Sequence, residues 1–571
     1  MIAMQPHDAL ALAATSFRLT YGQLNERSAG LAQGLQLLGV GPGVPIAVFA
    51  HRTFAGILGA LAVLKAGAAY APLDPADPPG RLDFILRDLQ APFVLAERGL
   101  ASRLPKGAWK VIPLDEAPLV FSQPVALPAS LAPDSLACVL YTSGPHGRPL
   151  GVEITHAGLL NLVRWHQHAF KVTAADNASQ LAPPGSESAV WEIWPYLAAG
   201  ASLHFPDPQS CEAALPFREW LVAEYITMAF APSALASQLI AMDWPRNTAL
   251  RVLLTSGGDS RFHPPAGLPF TLVNTYGTVE TTMVAASGVV LPQSNLHEPP
   301  AIGRPIDNVS AVLLNKMGRA VRDGEAGELC IGGAALARGY WNQPELSARR
   351  FAPCPPGSEA PAFLFHTGDA ARRLPGGEFA LLGRLDDRIT IRGYRVEPAE
   401  IESALNAHPE VKTSVVVARE DGPEGRQLAA YIVLADGAAP SIADLQVWLR
   451  ERLPAYMLPA AIAILNELPL TPQGETDRAA LPAPWPKPAD PTRRALELRL
   501  LQIITSLLPA NQLPPDETVV RVGGQPLLAA LVIDRVRQVF GVTLNPRQLF
   551  EAPTVAQLAA EIERTAQLAR C

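Results

Sequence analysis

Cysteine is scarce in this chain: five residues in 571, at positions 138, 211, 330, 354 and 571. They form no C-x-x-C pair and no histidine cluster accompanies them. That pattern favours reduced, packed thiols of a cytosolic protein over a disulfide frame or a zinc site. Charge is sparse too, at 17% of residues with a net of −7. No basic stripe is present, which argues against a nucleic-acid partner, because phosphate backbones demand clustered Lys and Arg. No apolar stretch can span a bilayer: the longest, Phe54 to Leu64, falls far short of the roughly 20 residues required. The start, Met1-Ile2-Ala3-Met4, lacks the basic region of a secretory signal. A cytoplasmic location is therefore expected, with no membrane attachment.

What the chain does have is apolar content, 49% of residues, enough for several cores. Its length suggests three or four domains or subdomains. From Leu19 to about Asp369, short β-rich runs (Val44–Ala50, Phe93–Ala96, Ala137–Tyr141, Ser202–Phe205, Arg251–Thr255) alternate with helical stretches. The latter include Tyr21–Leu38, Phe54–Lys65 and Leu159–His168. Such alternation predicts a layered α/β architecture with largely parallel sheets. A smaller α/β unit follows, with strands at Arg388–Ile391, Val411–Ala418 and Leu428–Leu434 and a helix at Pro398–Ala407. Five prolines within residues 482–491 read as a semi-rigid linker. Beyond it, helical periodicity at 495–508, 527–540 and 555–566 predicts a small helical bundle.

The motifs begin with Leu140-Tyr-Thr-Ser-Gly-Pro-His-Gly-Arg-Pro-Leu-Gly-Val152, a strand followed by a small-residue loop. Free backbone N–H groups and hydroxyls in such a loop can wrap a polyphosphate, although alone the signal is weak. In order come Asn274-Thr-Tyr-Gly-Thr-Val-Glu280, Gly327-Glu-Leu-Cys-Ile-Gly-Gly333 and Ala337-Arg-Gly-Tyr-Trp-Asn342. His366-Thr-Gly-Asp369, Gly383-Arg-Leu-Asp386, Ile391-Arg-Gly-Tyr-Arg395 and Leu453-Pro-Ala-Tyr-Met-Leu-Pro459 follow. The series, from Leu19-Thr-Tyr-Gly-Gln-Leu24 to Leu481, resembles the adenylation domains of nonribosomal peptide synthetases, members of the adenylate-forming superfamily. After the linker, Val522-Gly523-Gly524-Gln525-Pro526-Leu527-Leu528 resembles the phosphopantetheine site of a peptidyl carrier domain.

The resemblance implies an adenylate-forming fold: a large N-terminal α/β subdomain at 1–384 and a small C-terminal α+β subdomain at 385–482. A linker at 483–492 then leads to a four-helix-bundle carrier domain at 493–571. The implied reaction joins an amino acid and ATP into an aminoacyl-AMP with loss of pyrophosphate, then passes the aminoacyl group to a carrier thiol. By the same resemblance Thr142, Ser143, Gly144 and Gly147 belong to the phosphate loop. Tyr276 stacks on adenine, Asp369 grips the ribose hydroxyls and Arg384 makes a second ribose contact. Glu280 holds Mg²⁺, a hard cation that prefers oxygen ligands. Asp386 is the hinge between the two subdomains. Glu187 takes the place of the aspartate that pairs with the substrate amino group. Ser188, Trp191, Leu254, Ser256, Thr275, Met283 and Val284 line the substrate pocket, a mixture that names no particular amino acid. Trp191 and Trp194 read equally well as plain core residues, Trp194 more so.

Departures from the family pattern fall on the groups that carry the chemistry. The phosphate-loop lysine is Leu150, and the loop's second half reads Pro145-His146-Gly147-Arg148, where His146 or Arg148 can still donate to phosphate. The threonine that contacts the AMP phosphate is Val279, isosteric but without a hydroxyl. The adenylation lysine is Glu475, in Gln473-Gly-Glu475-Thr-Asp477-Arg478. A unit charge about 4 Å away at an effective dielectric near 20 is worth roughly 4 kcal/mol, and here its sign is reversed. The carrier serine is Pro526, which has no hydroxyl to phosphorylate; Ser506 and Thr518 lie outside the helix start. The expectation is a degenerate didomain serving as a scaffold or docking partner among other synthetase domains or proteins, without phosphopantetheine. A slow adenylating ligase that serves a carrier elsewhere, and a regulatory module that binds ATP or AMP with Mg²⁺, are the alternatives.

Overall fold

The computed structural model describes residues 1–114, 128, 130–144, 148–211, 213–256, 262–292, 300–354, 362–386, 388–391, 394–422, 425–435, 437–469 and 476–485. Beyond these it describes 499, 500, 533, 535–540 and 562. The chain divides into two compact units, Met1–Ala480 and Leu481–Cys571.

In the first unit, two large sheets are built on parallel pairing. One has the strand order Lys110–Pro113, Phe93–Ala96, Pro45–Phe49, Ala69–Leu73, Leu136–Thr142, Leu150–Thr155. Only its last pair is antiparallel. The other runs from the edge hairpin Leu10–Ala14/Phe17–Thr20 through Ser202–His204, Asn177–Ser179, Met228–Phe230 and Val252–Ser256 to Thr271–Tyr276, then turns antiparallel. Strand Pro45–Phe49 (PIAVF) is buried at every position. A strand covered on both faces should read this way, as an apolar run rather than an alternation. Helix Phe54–Lys65 covers that sheet, its first turn capped by the Thr53 hydroxyl accepting from the Ala55 N–H.

The expected alternation stops earlier than the sequence suggested. Residues 309–384 form an antiparallel sheet of Val309–Leu314, Ala326–Gly333, Phe363–Arg373 and Phe351–Pro353, with Phe379–Arg384 paired to the third. Glycines at 318, 324 and 377, all with positive φ, sit in turns between these strands, and such turns serve hairpins rather than helical crossovers. The small lobe holds the hairpin Ile389–Ile391/Tyr394–Val396, helices Pro398–Asn406 and Ile442–Arg450, and the sheet Val411–Gly422, Gly425–Leu434, Ala461–Leu465. Strand Val411–Gly422 runs four residues past its expected end at Ala418. Arg419 pairs with Gln427 across the ladder, so hydrogen bonding rather than burial extends the strand through a polar run.

In the second unit, residues 535–540 are helical and Leu500, Val536 and Ile562 are buried. The expected helices at 495–508, 527–540 and 555–566 otherwise lie outside the described residues. So do Gly147, Glu475, Pro526, Ser506 and Thr518.

Candidate active site

A cleft of about 1360 Å³ opens within the first unit, where strand ends of the two large sheets meet the antiparallel sheet and the small lobe. Helix Glu187–Ala199 points its N-terminus into it. Ser186 caps that helix, its hydroxyl accepting from the Ala189 N–H. Ser186, Glu187 and Ser188 all line the cleft.

At one end, Tyr276, Asp369 and Arg384 converge from three strands. Asp369 and Arg384 are direct cross-strand partners, which places their side chains on the same face. The Tyr276 hydroxyl donates to Asp369 Oδ2 at 2.6 Å, and Arg384 Nη1 donates to Oδ1 at 2.7 Å. Asp386 accepts from Arg384 Nη2 and Arg388 Nε, each at 2.6 Å. Burial opposes the Asp386 charge, but Arg388 and Arg384 hold its carboxyl below the usual carboxylate range. The backbone must pass tightly here. Gly368 has φ +74°, and a Cβ on it would come within 2.5 Å of Asp386 Oδ2. Tyr276, Asp369, Arg384 and Asp386 all face the cleft. Each oxygen of Asp369 accepts one hydrogen bond, which leaves lone pairs for hydroxyl donors. This end fits a nucleoside.

The other end is occupied by the protein's own cation. Glu280 sits in the turn Val279–Thr281 with no exposure. Both of its oxygens accept from Arg395 Nη1 at 3.0 Å, and Oε1 also accepts from the Tyr340 hydroxyl at 2.9 Å. Burial opposes the charge, yet Arg395 and Arg388 hold the Glu280 carboxyl at about 2. Arg395 is fixed in turn, because its carbonyl accepts from the Ser143 hydroxyl at 3.0 Å. In this arrangement Glu280 does not fit a Mg²⁺ ion, which needs carboxylate oxygens presented to it. A second tie, Arg81 Nη1 to Glu400 Oε1 at 2.7 Å, is likewise buried.

Thr142 and Ser143 line the cleft. A Cβ on Gly144 would clash with the Arg148 carbonyl and come within 2.8 Å of Leu150 Cγ, so this position admits only glycine without rearrangement. Leu150, opposite Thr142 in the ladder, packs against the main hydrophobic cluster. It presents neither charge nor donor. Val279 lines the cleft with an apolar side chain.

Glu187 is half-buried and forms no ion pair among the described residues. Burial and repulsion from Glu280 push its carboxyl up to about 7, against the pull of Arg395 and the Val279 N–H. An ammonium group would relieve this imbalance. Ser188, Ser256 and Thr275 line the cleft beside it, whereas Trp191, Leu254, Met283 and Val284 are buried in the hydrophobic cluster behind. Trp194 lies in the same cluster, its indole N–H donating to the Tyr70 hydroxyl. The Trp191 indole N–H donates to His166 Nδ1 at 2.9 Å, and its ring packs edge-on against Phe230, which does face the cleft. His166 is fully buried, and burial pushes it down to about 3, so it is neutral and able to accept. The sequence alone does not single out His166, Phe230, Tyr340 or Arg395. Tyr340 and Arg395 lie within two of the family motifs, and that membership is the signal by which they could be found.

Residues 2–341 match the model of the AMP-binding enzyme family. The chain belongs to the AMP-binding enzyme family. Residues 400–475 match the AMP-binding enzyme C-terminal domain and residues 499–562 the phosphopantetheine attachment site. This is the order of an adenylation domain followed by a carrier domain. Among relatives, this AMP-binding chain is 43% identical to one of the linear gramicidin synthase proteins of Brevibacillus parabrevis over 558 residues, 97% of this chain and 7% of that protein. It is 33% identical to tyrocidine synthase 1 of the same organism, over 98% of this chain and 52% of that protein. The chain thus spans between 7% and about half of the length of these two relatives. A solved artificially fused adenylation–PCP didomain from Klebsiella oxytoca superposes with a TM-score of 0.71 at 26% identity, covering 81% of this chain and 91% of that one. A second solved protein containing adenylation and PCP domains shares the fold, with a TM-score of 0.72 at 24% identity over 99% of this chain and 95% of that one. Among the described residues no helix is long and apolar enough to cross a membrane.

Proposed function

We propose that this chain is a nonribosomal peptide synthetase adenylation–carrier didomain that has lost the groups which make and hold an activated amino acid, and that it acts as a scaffold or docking partner for other synthetase domains. The observation that carries this reading is Pro526, inside the region that matches the phosphopantetheine attachment model. Phosphopantetheine is joined through a side-chain hydroxyl, and proline has none. Leu150, Val279 and Glu475 extend the same pattern to the adenylation half. The packing of Leu150 into the apolar cluster and the closure of Arg395 onto Glu280 support it. The test is incubation with coenzyme A and a broad-specificity phosphopantetheinyl transferase, followed by intact-mass measurement. An unchanged mass is expected; a phosphopantetheine adduct overturns the reading.

One observation favours a second reading, a module that binds ATP or AMP without turning it over. Tyr276, Asp369 and Arg384 face the cleft as a connected set, which suits adenine and ribose. An amino acid would enter beside Glu187. Mg²⁺ would require Arg395 to leave Glu280 first.

A further inference from the structure

Strands Ala326–Gly333 and Phe363–Arg373 run antiparallel, with Cys330 directly opposite His366. Directly opposed residues share a face, and so do residues two apart on one strand. Glu328, Cys330 and His366 therefore meet on one face of the sheet, and their donor atoms all lie within 4.8 Å of one another. His366 Nδ1 is 2.9 Å from Glu328 Oε2 and 3.5 Å from Cys330 Sγ. Sequence spacing could not reveal this, because the ligands come from two strands 36 residues apart and no C-x-x-C pair marks them.

One nitrogen faces two partners with opposite demands. A protonated Nδ1 can donate to Glu328 but cannot accept from the thiol, while an unprotonated Nδ1 does the reverse. A metal ion in the place of that proton serves all three groups at once. The spacing suits it. Tetrahedral zinc with Zn–N near 2.05 Å and Zn–S near 2.3 Å sets nitrogen and sulfur about 3.5 Å apart, and nitrogen and oxygen about 3.4 Å apart. The first separation is already present, the second needs the carboxylate to give by about half an ångström, and sulfur and oxygen, within 4.8 Å of each other, must close to about 3.6 Å. Cys330 is fully buried. Cys354 packs on the same small apolar cluster as Cys330.

We propose that Glu328, Cys330 and His366 form a site for a borderline-soft divalent cation, Zn²⁺ by the chemistry of its sulfur, nitrogen and oxygen donors, with water in the fourth position. The thiol gives up its proton to solvent when the metal binds, and no redox step is involved. Such an ion fastens the strand three residues ahead of Asp369. Glu328 Oε1 already accepts from the Gly368 N–H at 3.0 Å in that turn. The site is separate from the cleft and stands whether or not the reading of the cleft does.

The test uses the full chain, stripped with a chelator and titrated with Co²⁺ as a spectroscopic probe. One equivalent is expected, with a thiolate-to-cobalt charge-transfer band in the near ultraviolet that Zn²⁺ abolishes. Cys330→Ser removes the band. His366→Asn, at a partly exposed position, weakens Co²⁺ binding at least tenfold and abolishes the rise in melting temperature that Zn²⁺ gives the wild type. Circular dichroism confirms that each variant is folded, and His366→Asn carries the test alone should Cys330→Ser not fold. Absence of a band at excess Co²⁺, or an unchanged titration in His366→Asn, overturns the proposal.

Discussion

The two ends of the cleft have met different fates. At one, Tyr276, Asp369, Arg384 and Asp386 form a hydrogen-bonded set that faces the opening. At the other, Glu280 has turned both oxygens to Arg395, and Leu150 lies in apolar packing. The first end keeps donors and acceptors suited to a nucleoside; the second spends its charge on the protein itself. Recognition of a nucleotide and reaction at its phosphates need different groups, and a chain can hold one set without the other. The burial of Glu280 also explains why the Arg395 pair matters for stability. A buried carboxylate without its cation is far costlier than no charge at all.

The largest expected effect follows from that pair. Arg395→Ala leaves the buried Glu280 carboxylate without its ion-pair partner, with the Tyr340 and Thr278 hydroxyls and the more distant Arg388 left to stabilise it, and should cost about 3 kcal/mol in denaturant unfolding of the first unit. Adding Glu280→Gln should recover much of the loss, since no charge then remains to strand. A loss below about 1 kcal/mol for the single variant would mean that the closed end is not held by this pair.

Glu187 sharpens the comparison through pH. Its carboxyl is raised to about 7 in the folded chain from 4.5, so its neutral form is the one the fold favours. Its contribution to stability is complete below pH 4.5, falls as pH rises from 4.5 to 7, and is lost above. Comparison of wild type with Glu187→Gln should show the variant gaining roughly 3.5 kcal/mol relative to wild type across that range, because each tenfold change in proton affinity is worth about 1.4 kcal/mol. A difference that does not vary with pH would remove Glu187 from the electrostatics of the closed end.

The open end predicts a smaller change. Asp369→Asn should weaken AMP binding by about 2 kcal/mol, roughly thirtyfold, because hydrogen bonds to a charged acceptor are the stronger kind. Calorimetry measures it. If wild type binds no AMP at millimolar concentration, the contrast between the two ends disappears.

Much of the architecture was legible in sequence, for a physical reason. Strands buried on both faces are apolar throughout, and the buried, apolar helix Phe54–Lys65 carries its own cap at Thr53, so Phe54–Lys65 and Phe93–Ala96 stand at the bounds their residues implied. The antiparallel sheet at 309–384 was less legible because its strands are held by ladder pairing as well as burial. Within the cleft, sequence pointed to Tyr276, Asp369 and Glu280 through motifs but not to what they touch. The partner of Glu280 lies 115 residues away and that of Cys330 lies 36 away. No local pattern encodes a contact that only the packed lobes create. The same limit applies to Trp191, whose place behind the pocket depends on a histidine 25 residues earlier on another helix.

The most direct measurement is ATP–pyrophosphate exchange across the proteinogenic amino acids, run on the wild type beside the Leu150→Lys/Glu475→Lys double variant. The account expects wild-type exchange near background, with any gain appearing only in the double variant. Brisk exchange by the wild type with any single amino acid would contradict it.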